Sequence, residues 1–186
     1  MIGYAFCGSF CTLSHSLEAL KQLLGAGIDV LPIFSERVAQ TDTRFWRAKA
    51  FTETVESLCG KRGIYTIVEA EPLGPAIHLD ALVIAPCTGN TLAKIANGIT
   101  DSTVPMAAKA HIRSNRPLLL ALASNDAMSA TLPSLATLLQ KKYVYFVPLR
   151  QDDPEKKPHS LVADFTALPD CLEAALSGKQ LRPLFL

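Results

Sequence analysis

Short blocks of unbroken apolar residues alternate along the chain with longer stretches in which leucines recur every three or four positions. IGYAFC (2–7) is the first block, stopped by Gly8-Ser9, and predicts a strand buried on both faces. Leu13, Leu17, Leu20, Leu23 and Leu24 follow at helical spacing, with Gly25 and Gly27 to end the helix. IDVLPIFS (28–35) predicts a second strand that closes on a hydroxyl. The polar run SERVAQTDTRF (35–45) reads as loop, 46–59 as helix, GIYTIV (63–68) as a short strand and EPLGP (71–75) as loop. The alternation then continues through strand DALVIAP, helix TLAKIANG, helix DSTVPMAAKAHIRS, strand RPLLLALA, a helix near 133–142 and strand YVYFVPL. The polar loop RQDDPEKKPHS and a last helix within 166–177 complete it. Continuously apolar strands between amphipathic helices predict a three-layer α/β architecture, a doubly wound parallel sheet covered on both faces. The length of 186 residues, without repeat or linker, predicts a single domain, 1–186.

In such sheets ligands bind beyond the carboxyl ends of the strands, against free N–H groups of the next helix. Two predicted strand ends suit that purpose. In PCTGNTLAKIANG, Leu92, Ile95, Ala96 and Ile99 form the buried stripe of a short helix, with Thr88 or Asn90 to cap it and Gly98 to end it. Capping alone explains those residues, but the run of small residues Thr88-Gly89-Asn90-Thr91 also lets a ligand approach the main chain. CGSFCT offers the same at Gly8 and Ser9. Together the two ends predict an anion cradle of Gly8, Ser9, Thr88, Gly89, Asn90 and Thr91, with Ser35 as a further hydroxyl at the rim. Arg44 and Arg47, beside Phe45 and Trp46, suit planar carboxylates and are candidate substrate-binding residues. The competing reading is a surface loop whose Trp46 packs onto the core.

Composition narrows the function classes. Apolar residues make up 49% and charged ones 19%, which excludes a disordered chain. A net charge of +1 leaves no footprint for nucleic acid or an acidic membrane. No apolar run reaches the roughly 18 residues of a membrane span, and MIGYAFCGSF has neither a basic n-region nor a cleavage site, so a soluble, cytoplasmic protein is expected. The five cysteines form no CxxC and fit a reducing compartment. Cys7, Cys11 and His15 cannot share one helix across Gly8-Ser9 and lack a fourth ligand, so no zinc site is expected. GxGxxG, GxxxxGK[ST], GxSxG and HExxH are all absent. His78 reads as structural, and His111, between Lys109 and Arg113, as surface.

PCTGNTLAKIANGITDS resembles the P-x-S-A-N-T-x-x-K-I-A-x-G-x-x-D signature of flavin-dependent cysteine decarboxylases and flavin prenyltransferases, with LASNDAM (122–128) similar to the family loop P-A-M-N. TDTRF, AEPLGP, AAKAHIRSNRP, SNDA and RQDDPEKKPHSLVA resemble more narrowly the family of dipicolinate synthase B subunits. The resemblance implies a flavoprotein fold of Rossmann or flavodoxin-like type, FMN held by the signature loop, and Asn125 among the cofactor-binding residues. It further implies part of an oxidoreductase that dehydrates and oxidises a tetrahydrodipicolinate precursor to pyridine-2,6-dicarboxylate, in the mother cell of a sporulating bacterium. The implied partners are the synthase's A subunit, which would carry NAD(P), the diacid substrate, and further copies of the chain in a homo-oligomer. The sequence departs from the decarboxylases in having Thr88-Gly89 for Ser-Ala and no histidine aligned with their catalytic one. An independent FMN enzyme and a non-catalytic scaffold for the A subunit stay open as alternatives.

Overall fold

The computed structural model describes residues 1–186. Strands β1 (Ile2–Phe6), β2 (Val30–Phe34), β3 (Leu82–Cys87), β4 (Leu118–Ser124) and β5 (Val144–Phe146) run parallel in the order β2-β1-β3-β4-β5. That is the doubly wound order in which a crevice opens between β1 and β3, beyond their carboxyl ends. Every residue of β1 and β3 is buried, which explains why both are apolar without alternation. Helix α1 (Leu13–Gly25) buries Leu13, Leu17, Leu20 and Leu23 and packs beside α3 (Ala48–Cys59) and α8 (Leu168–Leu176). On the other face α6 (Thr103–Ile112) packs against α4 (Ile67–Ala70) and α5 (Gly89–Asn97), and α5 against α7 (Leu132–Leu139). One continuous cluster of 51 buried residues joins both layers through the sheet.

Several expectations are corrected by this geometry. Residues 63–68 are not a strand: only Ile64 bridges to Ile33 of β2, after which Thr66 starts α4. Thr66 accepts from the Glu69 N–H while Glu69 accepts from the Thr66 N–H, a reciprocal cap that overrides the β-branched Ile67 and Val68. Within the expected loop 35–45, Ser35 caps a helix α2 (Glu36–Gln40). The sheet is mixed rather than all parallel. Leu149–Arg150 (β6) and Leu161–Ala163 (β7) pair antiparallel, and β7 pairs antiparallel with Ala123 and Ser124 at the end of β4. The expected strand 143–149 is thereby split between β5 and β6. Ile99 lies beyond Gly98, whose left-handed conformation ends α5, and is exposed.

Residues 184–186 run along the outer side of β6. The Leu149 N–H donates to the Leu184 carbonyl at 2.8 Å, and the Leu186 N–H to the Leu149 carbonyl at 2.9 Å. Gly74 adopts φ +95° in a turn where its N–H donates to the Ile77 carbonyl, and it lies close against the Ala110 carbonyl of α6.

His111, expected at the surface, is fully buried. Its Nε2 lies 2.8 Å from the Pro117 carbonyl and its Nδ1 has no partner. Burial pushes its pKa below the ordinary value, against the opposing effect of the carbonyl. The unfolded chain takes up this proton near pH about 6.5 and the folded chain only at lower pH. His111 therefore contributes stability that is complete above about 6.5 and lost as pH falls from there through the depressed folded pKa. Denaturant unfolding at pH 7.5 and 5.5 is expected to show a loss on acidification that His111→Gln reduces. An unchanged pH slope in the variant would assign the loss to other groups.

Candidate active site

The β1 end turns at Gly8 into a short 3-10 stretch, Phe10–Thr12, that leads straight into α1. Thr12 Oγ1 donates to the Ser9 carbonyl at 2.9 Å and to Ser9 Oγ at 3.1 Å, leaving the Ser9 proton free to donate. The N–H groups of Gly8, Phe10 and Cys11 have no acceptor in the chain. At the β3 end one extra residue is inserted between Ile84 and Cys87 relative to β4. Thr88 then caps α5 by accepting from the Thr91 N–H at 3.2 Å, and the N–H groups of Gly89 and Asn90 have no acceptor in the chain. The capping reading is thus correct, and it coexists with open donors.

Both ends face one cleft of about 1260 Å³, roomier than a typical small-ligand pocket. Gly8, Ser9, Thr88, Gly89, Asn125 and Arg44 line it, so six of the ten expected site residues meet there. The other four do not reach it. Asn90 is exposed outside the lining, and Thr91 is turned inward, its hydroxyl 3.4 Å from the Cys7 sulfur. Ser35 is occupied in capping α2 through the Val38 N–H. Arg47 is held 2.7 Å from Asp42, whose other oxygen accepts from the Ala48 N–H. Trp46 is half-buried, edge-on to Phe51 at 5.3 Å, as the surface-loop reading of that segment expects.

Several lining residues are not among those ten, although the polar loop 151–159 is itself expected from the sequence to serve the diacid or a partner. Arg150 and Gln151 leave β6 along the cleft, joined by Asp152 and Lys157, which pair at 2.8 Å. Asp164 and Phe165, just after β7, close that wall. His15 in the first turn of α1 also lines the cleft, so a histidine is present at the strand ends after all. Its signal in the sequence is the four-residue step from Cys11, which places both on the cleft side where α1 begins. Arg44 stacks over the Phe45 ring at 4.8 Å and, like Arg150, has no carboxylate partner. Phe10, Phe45 and Phe165 add apolar surface to an otherwise polar rim.

The groups gathered here are chemically suited to anion recognition, with proton-handling side chains close by. Free N–H groups and the Ser9 hydroxyl suit a phosphate or carboxylate. Two unpaired arginines suit two further carboxylate charges. Asp126, also on the cleft, is held below the usual carboxylate range by hydroxyl donors from Ser124 and Thr131. The buried thiols of Cys7 and Cys87 are both pushed up by burial, Cys7 to about 11, so neither is a thiolate at neutral pH.

A doubly wound sheet of this strand order, with its cleft at the carboxyl ends of β1 and β3, defines a nucleotide- or flavin-binding class of architecture. The chain belongs to the flavoprotein family, which it matches over residues 2–164. Among its relatives is the dipicolinate synthase B subunit of Bacillus subtilis (strain 168), 43% identical over 185 residues that span 100% of this chain and 92% of the relative. The crystal structure of the dipicolinate synthase B subunit from Bacillus halodurans superposes with a TM-score of 0.91 at 38% identity, covering 100% of this chain and 95% of that one. The FMN-dependent cysteine decarboxylase SpaF shares the fold at a TM-score of 0.65 and 22% identity, over 94% of this chain and 95% of its own. No helix is long and apolar enough to cross a membrane.

Proposed function

We propose that this chain is the B subunit of a dipicolinate synthase, one domain acting with the A subunit to convert a cyclic tetrahydrodipicolinate precursor to pyridine-2,6-dicarboxylate in sporulating cells. The observation that carries the reading is the composition of the cleft wall. The segment 150–163, whose sequence resembles dipicolinate synthase B subunits, does not lie at a distance from the flavoprotein strand ends but builds the cleft with them. Full-length similarity to B subunits supports the same assignment.

Within this reading the precursor's two carboxylates meet Arg44 and Arg150, the two cleft arginines without a carboxylate partner. If the precursor carries a ring hydroxyl, its loss as water together with two hydrogens, one as hydride and one as proton, gives the aromatic ring. His15 is the side chain in the cleft suited to receive a proton, while Asp126, held ionised by its hydroxyl donors, is a weak base. The residues also fit FMN. The Ser9 hydroxyl, the open N–H groups of Gly8, Phe10 and Cys11 and the Asn125 amide suit its phosphate and ribityl hydroxyls, and Phe10, Phe45 and Phe165 offer apolar surface to its ring. Asp126 repels a phosphate from Gly89, so the Gly8–Cys11 turn is the part of the cradle that fits it. When bound, FMN would supply a hydride acceptor. The chain carries no nicotinamide fingerprint, which leaves NAD(P) to the A subunit. An assembly of several copies, like the dodecameric FMN-dependent UbiX-like decarboxylase from Escherichia coli O157:H7 that shares this fold, is the quaternary structure expected.

The test is turnover by the assembled synthase. Arg44→Ala and Arg150→Ala are each expected to raise KM for the precursor about tenfold or more, and Arg47→Ala to leave it unchanged. Equal effects at Arg44, Arg150 and Arg47, or none at all, would remove the diacid from this cleft.

A further inference from the structure

Gly89, the first residue of α5, has no room for a side chain. A Cβ there would lie 2.6 Å from Ser124 Oγ, 2.6 Å from Thr131 Oγ1 and 3.1 Å from Asp126 Oδ1. Those three side chains form a small polar knot at the end of β4. Ser124 and Thr131 both donate to the same carboxylate oxygen, Asp126 Oδ1, the Thr131 bond at 2.8 Å. Thr131 is buried, so the knot is anchored from below, and the Asp126 carbonyl accepts from the Ser129 and Thr131 N–H groups at 3.0 and 3.1 Å. The second oxygen, Oδ2, takes no hydrogen bond from the chain, although Asp126 is exposed and lines the cleft. One carboxylate oxygen is therefore fixed and the other is left to a ligand.

We infer that Asp126 is a specificity-determining residue that accepts a hydrogen bond from the ring nitrogen of a cyclic diacid. The cleft thereby favours a ring that carries N–H over the aromatic pyridine diacid. This rests on the diacid reading of the cleft. Arg44 and Arg150 attract carboxylates but do not distinguish two diacids with the same carboxylate spacing. Asp126 does, through the sign of the interaction at nitrogen. A saturated or protonated ring nitrogen presents N–H to Oδ2 and gains a charge-assisted hydrogen bond. A pyridine nitrogen presents only a lone pair, which a carboxylate repels. Aromatisation would then convert a favourable contact into an unfavourable one at the same atom and assist release of the product.

The experiment compares piperidine-2,6-dicarboxylate with pyridine-2,6-dicarboxylate by titration calorimetry on the purified chain. The wild-type chain is expected to bind the piperidine diacid about tenfold more tightly or better, the scale of one charge-assisted hydrogen bond. In Asp126→Asn the amide oxygen keeps the two hydroxyl donors and an amide N–H2 replaces Oδ2. The preference is expected to fall by about tenfold or to invert, because the amide now donates to the pyridine nitrogen. Ser124→Ala, which loosens the carboxylate without removing it, is expected to give an intermediate ratio and serves if the Asp126 variant fails to fold. The difference in shape between the two rings cancels in the comparison of variants. Both diacids bound with the same ratio in wild-type chain and folded variants would overturn this inference alone, whereas binding of neither diacid would overturn it together with the diacid reading.

Discussion

Mixed with the cyclic precursor and either NADP or FMN, the purified chain is expected to form no pyridine-2,6-dicarboxylate until the A subunit is added. A hydride must leave ring carbon for an acceptor, and a proton must leave for a base. The turn after β1 is Cys7-Gly8-Ser9-Phe10, which has Gly8 in place of a full GxGxxG and so lacks the tight approach a dinucleotide pyrophosphate uses. The cleft holds His15, but it is broad and open to solvent along the wall that carries Arg150, Gln151 and Lys157, all of which are exposed. Water in an open cleft weakens every electrostatic contact with the transition state. A partner docked over that wall would exclude it. The expected readout is no pyridine-diacid absorbance above the blank for the chain alone and steady turnover once its partner is present. Robust turnover by the chain alone, with either cofactor, would refute the division of labour.

The largest loss of stability is expected from Gly74→Ala. At φ +95° an L side chain costs about 1–2 kcal/mol in backbone strain alone. Here a Cβ would also fall inside 3.0 Å of the Ala110 carbonyl, which belongs to the main chain of α6 and cannot swing aside. The turn must then part from α6, beside the fully buried Leu73. A total of about 3 kcal/mol follows, a fall of roughly 6–12 °C in Tm for a chain of this length. Gly98→Ala is the control, since Gly98 has φ +71° with nothing within 4 Å of its Cβ position. It is expected to lose about 1 kcal/mol, from conformation only. If the two variants melt together, close packing at Gly74 contributes nothing.

The framework of the fold is legible in the chain because β1, β3 and β4 are buried on both faces and so appear as unbroken apolar runs. The wall of the cleft is not, for a physical reason. Strands β6 and β7 are two and three residues long, and their pairing depends on where β4 ends in space rather than on any periodicity. Arg150, Asp152 and Lys157 therefore look like an ordinary polar loop. The charged neighbours of His111 mislead in the opposite sense. Lys109 and Arg113 are two positions away on a helix, about 200° around the axis, so their exposure places His111 on the buried side. The same rotation separates the signature residues: Gly89 opens onto the cleft, with Thr88 before it, while Thr91, two positions further on, is turned beneath them toward Cys7. Arg47 is drawn to Asp42, whereas Arg44 has no such partner and lines the cleft.

The strip of chain at 184–186 bears on how the protein can be trimmed or fused. Arg150 follows directly on Leu149, whose main chain is clasped by Leu184 and Leu186 on one flank while Ala163 of β7 lies on the other. A shortened version lacking those last residues would retain every side chain of the cleft yet hold its far wall from one flank only. A bulky fusion placed there would pull on the same rung. For crystallisation or immobilisation, an attachment at residue 186 is thus mechanically an attachment beside Arg150.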